Sequence, residues 1–183
     1  MIVGVRVRLR AVELDDLPRF VSWFNDPEVQ RSLPLCVPLS GQDEENWFQE
    51  NQKRKPEERT LSVDAQVEDE WMHIGSCGFV EIDPRVQSAE IGITIGNKTC
   101  WDQGYGSETL RVLLRHSFDT LNLRRVQLRV FESNLRAIHV YRNLGFQEEG
   151  RLRQAHYHAG QYEDVLIMGL LREEWSTNEE AQG

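Results

Sequence analysis

The order of hydrophobic patterns along this 183-residue chain predicts an α+β fold, with a mixed, mostly antiparallel central sheet flanked by helices. Three observations carry that reading. Segments of period two and period 3.6 follow one another as β-α-α-β-β-β-α-β-α-β-β, an order that matches neither a bundle nor a regular βα repeat. Two pairs of alternating segments, 60–67 with 72–82 and 146–157 with 162–171, are separated only by short polar turns, as antiparallel neighbours are. Between them, residues 101–107 (Trp, Asp, Gln, Gly, Tyr, Gly, Ser) join a strand pattern to a helix pattern through glycines.

Residues 3–9 alternate as a first strand, interrupted by Gly4. Asp15 or Asp16 is placed to cap a short helix carrying Phe20, Val21, Trp23 and Phe24, which Pro27 is expected to end. Pro34 and Pro38 mark a loop. A second helix opens near Ser40 and carries Trp47 and Phe48, and residues 51–58 form its polar exit, with Pro56 inside it. The pair 60–67 and 72–82 turns at the acidic run Glu68, Asp69, Glu70. Asp83 and Pro84 start a further turn before the strand at 89–95, where Ile91, Ile93 and Ile95 alternate.

The helix after the glycines is clearly amphipathic. Leu110, Leu113, Leu114, Phe118 and Leu121 make one stripe, with Glu108, Arg111, Arg115 and Asp119 on the other side. Val126, Leu128 and Val130 then alternate with Arg125, Gln127 and Arg129 in a strand. Asn134 or Ser133 can cap the next helix, whose apolar positions are Ala137, Ile138, Tyr141 and Leu144. Gly145 ends it in the left-handed conformation, and Phe146 is placed to pack back on Tyr141. The final two strands join at Ala159 and Gly160. Without repeats or a low-complexity linker, residues 1–175 read as a single domain and 176–183 as a polar tail that frays.

A hydrophobic content of 39% and a net charge of −9 describe a globular protein and argue against nucleic acid as main partner, because phosphate contacts need a basic surface. The same acidity suits a cationic substrate. No apolar run approaches membrane-spanning length and no charged-then-apolar leader opens the chain, so no membrane partner is expected. Cys36, Cys77 and Cys100 show no paired spacing, which fits reduced thiols and a cytoplasmic protein.

The glycine stretch points to chemistry. Gly104 and Gly106 let backbone approach a ligand closely, and the first N–H groups of the following helix, backed by its dipole, suit phosphate oxygens. With its neighbours, the stretch resembles the pyrophosphate loop (Q/R-x-x-G-x-G/A) of the GCN5-related N-acetyltransferases, the GNAT superfamily. Asn134 with Ala137, Tyr141 and the ending Leu144, Gly145, Phe146 resembles that superfamily's second motif. Residues 149–157 with Gly160 and the stretch 164–171 are similar to its Rim-type branch, which holds ribosomal-protein N-terminal, spermidine and amino-sugar acetyltransferases. Arg8, Leu9 and Arg10 and the segment 23–29 fit that branch too, so the resemblance spans about residues 6 to 175. One departure is Trp101, which stands where the pattern has Gln or Arg. Since backbone N–H groups do most of the binding in such a loop, only a side-chain contribution at 101 is put in question.

The resemblance implies the GNAT-type acyl-CoA N-acyltransferase fold, with the strands at 89–95 and 124–130 splayed, and acetyl-CoA as co-substrate. Gln103, Gly104, Tyr105, Gly106, Ser107 and Asn134 would hold the cofactor. Backbone groups of Ile93 and Ile95 would pair with its pantetheine arm as with an added strand. Trp23, Glu28 and His156 would face the acceptor, an amine on a small molecule or a protein N-terminus, and a homodimer is an expected assembly.

Acetyl transfer to an amine needs a neutral amine, a polarised carbonyl and a stabilised leaving thiolate. No nucleophile motif suggests a covalent intermediate, so direct attack in a ternary complex is expected. The resemblance places Tyr141 near the thioester sulfur as general acid. The resemblance makes Glu90, which alternates away from Ile91, the candidate base acting through water, and His156, in a segment where Rim-type relatives carry a carboxylate, the second candidate. His156 and His158 have the spacing of a metal pair, but the sequence offers no third ligand, and no metal is expected. A non-catalytic acyl-CoA-binding module on the same fold is the alternative reading.

Overall fold

The computed structural model describes residues 1–175, and the polar tail expected at 176–183 lies outside the described residues. Eight strands form a sheet in the order β1-β2-β3-β4-β5-β6-β8-β7. They are β1 (Ile2–Val3), β2 (Val7–Ala11), β3 (Leu61–Val67), β4 (Glu70–Asp83), β5 (Ser88–Ile95), β6 (Arg125–Phe131), β7 (Gln147–His158) and β8 (Gln161–Leu171). The helices are α1 (Leu17–Phe24), α2 (Pro27–Gln30), α3 (Gly41–Lys53), α4 (Tyr105–Arg115) and α5 (Leu135–Asn143). The mixed, mostly antiparallel sheet with helices agrees with the expected α+β class. The chain forms two compact units, one of residues 1–79 and 93–113, the other of 80–92 and 114 onward.

In the first unit, β1 pairs antiparallel with β2, β2 with β3, and β3 with β4. The expected single strand at 3–9 is therefore two short strands in a hairpin, closed where the Gly4 N–H donates to the Val7 carbonyl at 2.8 Å. Between β3 and β4, Glu68 and Asp69 both take left-handed backbone (φ 48° and 66°), the geometry of the tight turns whose twist matches antiparallel strands. Helix α3 begins near Ser40 as expected, and the structure supplies the cap: the Ser40 hydroxyl accepts from the Asp43 N–H, and the Asp43 side chain accepts from the Ser40 N–H. Pro27 does not simply end α1. Asp26 accepts from the N–H groups of Glu28 and Val29, and Pro27 opens the short α2.

Asp16 departs most from its expected role. It occupies the N-cap position of α1, yet its side chain makes no cap bond there. It is 2% exposed and accepts instead from both terminal nitrogens of Arg10 (2.7 and 2.8 Å), the Ser62 hydroxyl (2.9 Å) and the Glu13 N–H (2.9 Å). Burial opposes its ionisation, but these donors prevail and hold the carboxyl well below its ordinary range. Against this cluster, Phe20 packs with Val12 and Leu17, and Trp23, Phe24, Trp47 and Phe48 cover them.

The second unit holds β5 as far as Gly92, with β6, β8 and β7, and α5 between β6 and β7. β5 and β6 run parallel, and their ladder ends after three positions, at Glu90 and Gln127. β6 pairs antiparallel with β8 along its whole length, and β8 with β7. The helical pattern expected through Leu121 is α-helical only to Arg115 and continues as a wider π turn over His116–Thr120. Helix α5 ends as its sequence predicts. Gly145 is left-handed (φ 96°), its N–H donates to the Arg142 carbonyl, and the Phe146 N–H donates to the Tyr141 carbonyl. The Tyr141 and Phe146 rings meet edge to face at 5.8 Å.

Glu44, on α3, is 4% exposed, and its Oε2 has no hydrogen-bond partner. Burial, aided by Asp43, raises its pKa from 4.5 to about 7. A folded state that binds this proton more tightly than the unfolded chain loses stability as pH rises from about 4.5 through about 7. The expected outcome is a thermal midpoint that falls between pH 5 and 8, by on the order of 3 kcal/mol of stability. Glu44→Gln should remove most of that fall and raise the midpoint at pH 8. A calorimetric pH series on both proteins checks it, and parallel curves would show that Glu44 does not carry the dependence.

Candidate functional site

The glycine loop of the first unit is held by its own side chains. Asn97 caps the turn after β5, accepting from the N–H (3.1 Å) and hydroxyl (2.8 Å) of Thr99. The Gln103 amide donates to the Thr99 carbonyl. Trp101 donates its indole N–H to the Ile95 carbonyl at 2.7 Å. The residue that breaks the Q/R pattern is thus a brace between loop and strand, and it already uses one lone pair of a carbonyl expected to meet pantetheine.

Gly104 is left-handed (φ 83°), and the first helical bond of α4 runs from the Glu108 N–H to its carbonyl at 3.0 Å. The N–H groups of Tyr105, Gly106 and Ser107 therefore precede the helix's own ladder. The Tyr105 side chain turns inward, 6% exposed, and donates to the Gln66 carbonyl at 3.1 Å, so only its backbone is available to a ligand. A Cβ on Gly106 would make an ordinary 3.7 Å contact with Ile95, so protein packing does not demand glycine there. A left-handed glycine, a second glycine that protein packing does not demand and three leading N–H groups fit a pyrophosphate.

Trp23 and Glu28 lie in the same unit as this loop. The Trp23 indole covers the backbone of Gly96, where a Cβ would come within 2.4 Å of the ring, and it meets His73 at 4.9 Å. His73 is itself buried, with Nε2 2.9 Å from the Gly75 carbonyl. Its Nδ1 is 3.1 Å from Asp16 but off the hydrogen-bonding direction. Burial, outweighing Asp16, keeps His73 below its ordinary range and neutral at physiological pH. Glu28 is exposed and shares Lys98 with Asp26: the ammonium is 2.7 Å from Asp26 and 3.2 Å from Glu28. Lys98 holds Asp26 below the usual carboxylate range, and Asp26 and then Glu28 hold Lys98 above its own.

Glu90, Asn134, Tyr141 and His156 belong to the second unit. Glu90 Oε2 takes contacts from Gln127 Nε2 and Arg129 Nε, both at 3.3 Å, which leaves Oε1 without an acceptor role among the described residues. Asn134 caps α5, its Oδ1 accepting from the Ala137 N–H at 3.2 Å. Tyr141 is buried, and that burial pushes its phenol up to about 12, so it stays protonated and able to donate. His156 stacks on Phe131 with centroids 3.7 Å apart and planes within 8°, Glu163 lies 3.9 Å from its Nε2, and that nitrogen is buried without a hydrogen bond.

Gln127, Arg129, Phe131 and Glu163 are the neighbours that sequence reasoning missed. The alternation of β6 places Gln127 and Arg129 on one face, but only the parallel register with β5 shows that this face meets Glu90. Phe131 and Glu163 left no local signal, since a bulge in β7 between Leu152 and His156 decides which β8 residue His156 opposes. Among the described residues, no group of three or more His, Cys, Asp or Glu could hold a metal, and no helix is long and apolar enough to cross a membrane.

Comparison with known proteins agrees with this geometry. Residues 6–147 match the family model of the acetyltransferase (GNAT) domain. The chain is 30% identical to the uncharacterized N-acetyltransferase p20 of Bacillus licheniformis, over 93% of this chain and 96% of that one. It is 31% identical to the spermidine N(1)-acetyltransferase of Vibrio cholerae, over 96% and 98% of the two chains. The crystal structure of spermidine N-acetyltransferase from Vibrio cholerae in complex with CoA and spermine superposes with a TM-score of 0.84 at 26% identity, covering 94% of this chain and 99% of that one. A family model over most of the chain and relatives of 30% and 31% identity along nearly its whole length thus show the family: the chain belongs to the GNAT acetyltransferases and is an N-acetyltransferase that moves an acetyl group from acetyl-CoA to an amine.

Proposed function

We propose that the acceptor is a small polycationic amine of the spermidine class, attacking the thioester directly while both substrates are bound. The observation that carries this is the pair Asp26 and Glu28, where two carboxylates already hold one alkylammonium, that of Lys98. The exposed Glu28 supplies a carboxylate for a second such group, and the Trp23 indole a surface for its apolar stem. The net charge of −9 favours the approach of cations, and the likeness to spermidine acetyltransferases supports the same class.

Acetyl-CoA supplies the activated acyl group. Backbone N–H groups at Gly104, Tyr105, Gly106 and Ser107 hold its pyrophosphate, with Gln103 and Asn134 beside the cofactor and the backbone of Ile93 and Ile95 along its pantetheine arm. Tyr141 gives a proton to the leaving thiolate. Glu90 takes the amine's proton through a water at its free Oε1, with His156 on the acceptor side as the competing base. Neither buried thiol suits a covalent route: Cys100 is buried, and complete burial pushes Cys77 up to about 12. The same reading makes residues 1–175 one acetyltransferase domain that pairs as a homodimer in the cytoplasm, where the free thiols stay reduced, with neither nucleic acid nor membrane as partner.

An amine panel tests the acceptor. CoA release with spermidine or spermine should exceed that with peptide α-amines and amino sugars by roughly tenfold or more in kcat/KM. A peptide with a free N-terminus outperforming the polyamines would replace this acceptor class with a protein one.

Tyr141→Phe retains the ring that packs on Phe146 and removes only the phenol. General acid catalysis contributes about 10²–10⁴-fold, so kcat should fall within that range. KM for acetyl-CoA and the melting temperature should change little. Turnover within about threefold of the parent would make Tyr141 purely structural.

An alkylammonium near 10.4 is neutral to only a few parts in ten thousand at pH 7, roughly. With such an acceptor, turnover should rise between about pH 6 and 8.5 through one dominant ionisation. Glu90→Gln flattens that limb if Glu90 relays the proton, and His156→Gln does so if the histidine is the base. Two unchanged profiles would assign the limb to the amine itself.

A further inference from the structure

The N-terminal hairpin reaches the glycine loop of its own unit. Gly4 lies against α4, where a Cβ would come within 2.7 Å of Val112 and 3.2 Å of Glu108. Two residues later, the Arg6 N–H donates to Glu108 Oε1 at 2.5 Å and its Nε to Oε2 at 3.2 Å. Its guanidinium covers the Tyr105 ring, 4.9 Å from the centroid, and Nη1 donates to the Gln103 carbonyl at a long 3.4 Å. Nη2 lies 3.3 Å from the position a Cβ of Gly104 would take, and it has no acceptor among the described residues.

This arrangement resolves an electrostatic conflict. Glu108 stands in the first turn of α4, where a carboxylate suits the helix dipole but repels a polyanion bound at the same helix start. Pairing through Arg6 Nε cancels that charge locally. The planar fork of the guanidinium then holds its remaining nitrogen against the loop in a fixed direction, a pre-organisation that lysine could not supply. The side chain is about half exposed, so the open nitrogen can be reached from solution.

We infer that Arg6 is a side-chain element of the cofactor's phosphate site, neutralising Glu108 and donating Nη2 to a pyrophosphate oxygen of acetyl-CoA. The inference rests on residues 103–107 being the phosphate loop. It also assigns the charged contribution that Trp101 does not make to a residue almost a hundred positions earlier.

The test is a series of acyl donors truncated from the nucleotide end. Charge-assisted hydrogen bonds of this kind correspond to roughly 10- to 100-fold in affinity. Arg6→Ala should raise KM for acetyl-CoA by that factor with kcat within about twofold, and Arg6→Lys should recover part of the loss. With acetyl-pantetheine, which has no phosphate, Arg6→Ala and the parent should have the same KM. An equal penalty with both donors would overturn the inference, because Arg6 would then act only by positioning α4. Glu108→Ala breaks the same latch while keeping the cation. Lost orientation of Arg6 and lost repulsion from Glu108 oppose each other, so KM for acetyl-CoA should rise less than with Arg6→Ala, and an equal rise would also overturn the inference. Gly104→Val separates the two levels of the argument. If it abolishes CoA binding in calorimetry while Arg6→Ala retains parental affinity, only the role of Arg6 fails. If folded Gly104→Val binds CoA normally, the loop reading itself fails.

Discussion

The first unit is organised around one buried carboxylate. Asp16 reaches no water to speak of, yet stays ionised because Arg10 from β2, Ser62 from β3 and the Glu13 N–H from the turn before α1 converge on it. Arg10 in turn bridges to Asp64, which also takes Arg8. Removing one partner from such a cluster leaves an uncompensated buried charge, at a cost of about 3–5 kcal/mol. That penalty fixes where α1 can start. It thereby sets the Phe20 and Trp23 rings over His73, and the Trp23 ring over Gly96 at the end of β5. The Trp23 ring and the entry to the glycine loop thus share one electrostatic anchor.

What was legible beforehand was local. Asn134 and Gly145 announced the two ends of α5 through capping chemistry that needs only a few neighbouring residues, and each is found in that role. The glycine loop was readable for the same reason, since the alternation before it and the apolar stripe after it are both periodic. Asp16 was not readable. Its sequence context is that of a helix cap, and the donors that redirect it lie on strands 6 and 46 positions away. The break in the first strand was half visible, as a glycine, but the hairpin depends on Gly4 fitting against α4.

The candidate site shows the same division. Residue types suggested Glu90 and His156, while their partners come from strand register: Gln127 and Arg129 through a three-position parallel ladder, Glu163 through a bulged hairpin. A shift of one residue in either ladder would turn those side chains to the opposite face. Arg6 escaped notice because its role depends on a hairpin, a helix and a loop that are widely separated in the chain.

The end of α5 has a genetic consequence. The Tyr141 carbonyl accepts the Phe146 N–H while its ring rests on Phe146, and Gly145 supplies the left-handed residue that makes both contacts attainable. With Tyr141 in the role proposed for it, the helix stop and the proton donor are one mechanical part. Loss-of-function alleles gathered without regard to structure would then cluster at 141, 145 and 146, although only the first carries an ionisable group. A map of such alleles would overstate the number of residues engaged in proton transfer and hide the fact that two of them only hold the third in place.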